Sequence, residues 1–186
     1  MREIDVMSIC NALVDIVLEA TDQDLVELNL NKGKMHLVDA KAQKKVLEHF
    51  AKKPNTTELG GSSLNAIRAL ASLGRRTAFA GAIAHDDFGD RIRHRLNNLD
   101  IESHIQTVEH EATGSCIVLV TPDGERTMNT YLGASRLYDE RIVPLERLRS
   151  TKIFHFSGYQ WDTDEQKKTI YKALKTSKGF RCTTSF

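Results

Sequence analysis

The stretch Gly60-Gly61-Ser62-Ser63-Leu64-Asn65 decides how this chain is read. A glycine pair interrupts the preceding segment, and an amphipathic helix starts directly behind it. Leu64, Ile67, Leu70 and Ala71 mark one face of that helix, and Gly74 marks its end. Paired glycines permit positive φ and let a ligand reach the main chain. Ser62 or Ser63 is the expected helix cap, and Asn65 projects an amide from the first turn. Alone, the stretch is no more than a capped helix behind a loop. Its surroundings give it weight.

Upstream, Ile4 to Cys10 reads as a buried strand that ends at Asn11-Ala12-Leu13-Val14-Asp15, and Ile16 to Glu19 as a second, more exposed strand. Leu25 to Leu30 is expected to be a short helix and Met35 to Val38 a short strand. Ala40 to Phe50 is expected to be a helix with Val46, Leu47 and Phe50 facing inward. A turn at Lys52-Lys53-Pro54-Asn55 leads into the glycine pair. Downstream come a small-residue strand at Thr77 to Ala84 and a helix from Gly89 to Leu99. Gly114 to Thr121 and Arg126 to Tyr131 flank Pro122-Asp123-Gly124-Glu125, a hairpin signal. Ile153 to Phe156 reads as a buried strand, and Thr163 with Gln166 as the capping box of a helix reaching Lys175.

Strands alternating with helices predict an α/β fold with a parallel-sheet core and helices on both faces. Short one-sided strands near Ile16, Met35, Cys116 and Thr127 suit a small separate sheet, a β-lid over the core. The 186 residues suffice for one domain with a real core. Hydrophobic content of 40%, charged content of 27% and a net charge of +1 give no reason to expect a nucleic-acid or membrane partner. The cluster Arg91, Arg93, His94 and Arg95 reads as a solvated helix face. No apolar run approaches a membrane span and no signal-peptide pattern opens the chain, so the expected compartment is the cytoplasm. Cys10, Cys116 and Cys182 are odd in number and lack metal-ligand spacing; Cys10 and Cys116 lie in apolar runs and read as inert buried thiols. No metal site is predicted. No GxGxxG follows the first strand, which sets aside a nicotinamide-dependent Rossmann enzyme.

In their order along the chain these pieces resemble the PfkB carbohydrate kinase family, of ribokinase-like fold. The resemblance rests on Asn11-Ala-Leu-Val-Asp15, on Gly60-Gly-Ser-Ser-Leu-Asn65 running to Gly74, and on Gly81 with Asp86-Asp-Phe-Gly89. It continues through Thr113-Gly114-Ser115, Asp123-Gly-Glu-Arg-Thr-Met128, Leu132-Gly-Ala-Ser135 and Phe156-Ser-Gly-Tyr159, so that it spans Ile4 to about Arg181. Ser62-Ser-Leu-Asn-Ala-Ile67 and Arg126-Thr-Met-Asn-Thr-Tyr-Leu-Gly-Ala-Ser135 look most like the adenosine kinase and nucleoside-sugar kinase branch. Two positions depart: Ser157 stands where many relatives carry glutamate, and Ser63 where Gly, Ala or Pro is common.

The resemblance implies an ATP-dependent sugar or nucleoside kinase whose sugar or nucleoside site involves Asn11, Asp15, Gly60, Gly61, Ser62 and Asn65. Asp15 would bind sugar hydroxyls, a carboxylate being able to accept from two adjacent ones. Gly60 and Gly61 would hinge lid to core. Ser115, Cys116 and Tyr131 would belong to the lid, whose strands fall at about 12–20, 33–38 and 114–131; the edges of that lid could support a homodimer. Full-length members use ATP and Mg2+, through an Asp-Thr-x-Gly-Ala-Gly-Asp motif whose last Asp is the base and an Asn-x-x-Glu element. Neither is recognised here, nor is a Walker A loop. No catalytic residue is therefore assigned within residues 1–186, which read as the N-terminal part of one kinase domain. Gly179-Phe180-Arg181 resembles the opening of a further strand, but Cys182 to Phe186 continues no recognisable pattern. A truncated or frameshifted reading frame, or an incomplete gene model, is the expected origin. The alternative to the substrate half of a kinase, inactive in isolation, is a non-catalytic sugar-binding or dimerising remnant.

Overall fold

The computed structural model describes residues 4–186. The first strand, β1 (Ile4–Ile9), lies at the centre of an all-parallel sheet and is buried along most of its length. Its neighbours are β5 (Thr77–Ala84) on one side and β9 (Thr151–His155) on the other. The edges are β6 (Glu102–Val108), beside β5, and β10 (Thr183–Ser185), beside β9. β5 is buried at all eight positions, the continuous apolar pattern expected of a parallel strand covered on both faces.

The two faces have separate cores. One packs Val6, Phe79 and Ile83 against α3 (Ser62–Ser72) and α4 (Asp87–Asn98) through Leu64, Ile67, Ile92 and Leu96. The other packs Met7, Ile9 and the Ala78, Ala80 and Ala82 side of β5 against α5 (Leu145–Arg149) and α6 (Asp164–Gly179) through Leu148, Ile170 and Ala173. Helices on both faces of a parallel sheet make this an α/β fold, as the alternation of patterns predicts.

A second, mixed sheet has the order β3 (Met35–Leu37), β8 (Arg126–Tyr131), β7 (Gly114–Val120), β2 (Leu13–Glu19), β4 (Thr56–Gly60). Val14, Ile16 and Leu18 on β2 and Ile117 and Leu119 on β7 face inward, against α1 (Asp22–Glu27) and α2 (Ala40–His49). The intervening residues face the other way. That period of two aims Leu13 and Asp15 at the opposite side of the sheet.

The structure corrects several sequence expectations. Asn11–Asp15 does not end a strand: β2 begins at Leu13, and Ile16 and Leu18 are buried rather than exposed. Leu47 is 37% exposed while Val46 and Phe50 close the face of α2, because α2 turns a narrower stripe inward. α1 begins at Asp22, behind a Thr21–Asp24 capping box, and stops before Leu30. β4 and β6 lie in stretches where the sequence patterns indicate no element. α3 is capped by Gly61 and not by either serine, since Ser62 Oγ donates to Ser157 Oγ at 3.2 Å and Ser63 is fully buried. The Thr163–Gln166 box forms as expected, but α6 continues to Gly179. Cys182 to Phe186, in which no pattern was legible, contains β10, a parallel neighbour of β9.

Candidate functional site

A cavity of about 530 Å³ opens where the carboxyl ends of β1 and β9 meet the outer face of the second sheet. Ligands of open α/β sheets characteristically bind at such strand ends. Asn11 lies two residues beyond β1; Gly61, Ser62 and Asn65 come from the start of α3; Asp15 and Cys116 lie opposite each other on the paired strands β2 and β7. A short 3₁₀ turn, Gly158–Trp161, closes the remaining side with Tyr159 and Trp161.

The glycine pair is required by close packing. A Cβ on Gly60 would lie 2.0 Å from Asp15 Oδ1, so the carboxylate rests where a side chain would otherwise be. Gly61 has φ +102°, and a Cβ there would meet the Asn11 carbonyl at 2.4 Å. Gly60 pairs with Leu13 at the end of the β2–β4 ladder, so the turn into α3 and the placement of Asp15 are one construction.

Asp15 is half-buried, and no described residue donates a hydrogen bond to it. Burial pushes its carboxyl above the ordinary value, opposed by the nearby charge of Arg68. Arg68, which was not singled out in the sequence, donates to the Leu59 carbonyl at 2.9 Å and to Asn65 Oδ1 at 3.0 Å. A guanidinium only donates, so it fixes Asn65 with its amide nitrogen turned away from Arg68. Asn11 is 5% exposed and accepts from Gln166 Nε2 at 3.1 Å. Burial raises the Cys10 and Cys116 thiols to about 12 and about 11, so both are neutral at physiological pH.

Not all of the expected residues converge. Ser115 and Tyr131 lie on the other face of the second sheet. Ser115 Oγ donates to Gln43 Oε1 at 2.9 Å, and the Tyr131 hydroxyl donates to Glu111. Adjacent residues of a strand point to opposite faces, so Ser115 and Cys116 could not both line one cavity. An Asn-x-x-Glu spacing does occur, at Asn55-Thr56-Thr57-Glu58. It runs into β4, where Glu58 pairs with Arg68 and Arg95. Among the described residues no group of three or more His, Cys, Asp or Glu side chains could hold a metal ion. These residues therefore do not by themselves fit a magnesium site. No helix among them is long and apolar enough to cross a membrane.

A parallel α/β core whose strand ends are walled by a second sheet, with an unspent carboxylate between them, is the architecture of the ribokinase-like sugar and nucleoside kinases. The chain belongs to the pfkB family of carbohydrate kinases, which it matches over residues 10–185. It is similar to the crystal structure of adenosine kinase from Sinorhizobium meliloti (31% identity, TM-score 0.90, covering 98% of this chain and 55% of that one). It is also similar to a probable sugar kinase from Rhizobium etli CFN 42 (29%, TM-score 0.91, 99% and 56%). Among curated proteins it resembles probable fructokinase-3 of Arabidopsis thaliana, at 32% identity over 64% of this chain. The aligned part is 35% of that relative's length, and the chain spans just over half of each of the two solved structures.

Proposed function

We propose that this chain forms the acceptor-binding half of an ATP-dependent kinase that phosphorylates a hydroxyl of a nucleoside. The observation that carries this reading is Asp15, a half-buried carboxylate without a protein donor, facing a cavity of ligand size. Leaving such an acceptor unpaired is costly unless ligand hydroxyls satisfy it. Asn11, Ser62 and Asn65 supply further polar contacts around it, Gly60 makes room for the Asp15 carboxylate, and Gly61 brings the main chain to the cavity wall. The second sheet acts as the lid. Its cavity face carries Met35, Leu37 and Met128, and Trp161 and Tyr159 stand across from it. That apolar, aromatic wall suits a planar base better than a second set of hydroxyls, which favours a nucleoside over a simple sugar. The ATP and Mg2+ implied by the family would supply the phosphoryl group and its charge neutralisation, and no residue of this chain is assigned to either or to the catalytic base.

Calorimetric titration with adenosine, inosine, ribose and fructose 6-phosphate tests the reading. The nucleosides are expected to bind, ribose more weakly, and Asp15→Asn to weaken binding about ten- to a hundredfold. A coupled ADP-release assay on residues 1–186 is expected to give no turnover. Failure of every nucleoside and sugar to bind would overturn the proposal.

A further inference from the structure

Gln166 was legible only as a capping residue, yet its side chain reaches beyond its own helix. It is fully buried, and Asn11, 5% exposed, is its neighbour at the cavity wall. Hydrogen-bond chemistry determines the sense of this contact without reference to how either amide is drawn. The Thr163 backbone N–H can only donate, and it donates at 3.4 Å to one atom of the Gln166 amide, which must be Oε1. The other atom is then Nε2, which can only donate. Its partner on Asn11, at 3.1 Å, must therefore be Oδ1. No described residue accepts from Asn11 Nδ2.

We infer that Gln166 is a positioning residue that holds Asn11 with its NH2 group available to the cavity. The inference rests on the proposed acceptor site and deepens it. Asp15 can only accept and Asn11, so held, can only donate. A ligand hydroxyl, which both donates and accepts, is matched by that pair, whereas two acceptors would leave its oxygen unsatisfied. The relay runs from the first turn of α6, through a buried amide, to Asn11, two residues beyond the central strand. It ties the polarity of the site to a helix cap about 150 residues away in sequence.

Two measurements test this. In the wild-type chain, NMR should detect a trans-hydrogen-bond coupling from Gln166 Nε2 to Asn11 Cγ. The reverse coupling, from Asn11 Nδ2 to Gln166 Cδ, or neither, overturns the inference. In Gln166→Glu the capping box is retained, but an ionised Glu cannot donate. Asn11 must then turn over and show Oδ1 to the cavity beside Asp15. Adenosine and ribose affinity is expected to fall about tenfold, the order of one hydrogen bond lost with an acceptor left facing an acceptor. The Asn11 side-chain amide protons should at the same time become protected from exchange. Unchanged affinity together with unchanged protection overturns the role. If the wild-type chain binds neither adenosine nor ribose, the reading of the site as an acceptor site falls, while the coupling still decides how Asn11 is held.

Discussion

At the scale of single residues, Asp15 links site and stability. Burial raises its carboxyl above the ordinary 3.8, so the folded chain holds this proton more tightly than the unfolded chain does. The ionised side chain thus opposes folding fully above its raised pKa, and the effect vanishes below 3.8. Asp15→Asn should accordingly raise the melting temperature at pH 7 and lose that advantage as pH falls through this window. The same substitution should weaken acceptor binding by about ten- to a hundredfold, since hydrogen bonds to a charged group contribute roughly 1.5 to 3 kcal/mol. Paired melting curves and titrations check both; a variant that melts lower and binds unchanged would mark Asp15 as a structural turn residue. Wild-type binding should also fade on acidification at a higher pH than for an exposed aspartate. Asp15 was legible through the motif that contains it. Arg68 and Gln166 were not, because their roles depend on partners brought together only by the fold. Ser115 and Cys116 both lie on β7 of the second sheet, and the alternation of a strand turns only Cys116 toward the cavity.

Elements with strong periodicity were legible, and those that face water on one side were not. α3 and α4 bury their apolar stripes on the core sheet. β4, with Thr56, Thr57 and Glu58, and β6, with Glu102, Ser103 and Gln106, are sheet edges of largely polar sequence. Their strand character comes from ladder hydrogen bonds rather than from burial. The junction of β4 with α3 can be tested by separating backbone strain from crowding. Gly61→Ala meets both a positive φ and the Asn11 carbonyl, and should cost about 2–4 kcal/mol in urea unfolding. Gly124→Ala, at φ +83° with nothing within 4 Å, should cost only about 1 kcal/mol. Equal losses would show that crowding at Gly61 is relieved by relaxation. Gly60→Ala displaces the end of the Asp15 side chain instead of straining the backbone. It should reduce nucleoside affinity nearly as far as Asp15→Asn while changing the unfolding midpoint less.

For the whole molecule, the arrangement of two sheets about one cavity was foreseeable from the order of patterns, whereas the course of the last residues was not. Three residues of strand with every side chain exposed leave no periodicity to read. β10 forms one edge of the core sheet, and Phe186, 82% exposed, leans on Phe156 with ring centroids 5.2 Å apart. An edge strand flanked by exposed aromatic surface invites pairing with another chain. For residues 1–186 in isolation, sedimentation velocity should therefore show association that grows with concentration, accompanied by binding of a hydrophobic dye. Thr184→Lys, a charge on that edge, should suppress it. A monomer with a single sharp melt and no dye binding would contradict this. The central position of β1 has a further effect on the ribosome. β1, the first of the described strands, has as one of its two neighbours β9, which begins only at Thr151. At roughly 5–20 residues per second, one flank of β1 waits on the order of ten seconds for that partner to be made. The nascent chain is thus most in need of a chaperone during that interval, and synonymous codons that slow translation between β1 and β9 would lengthen it.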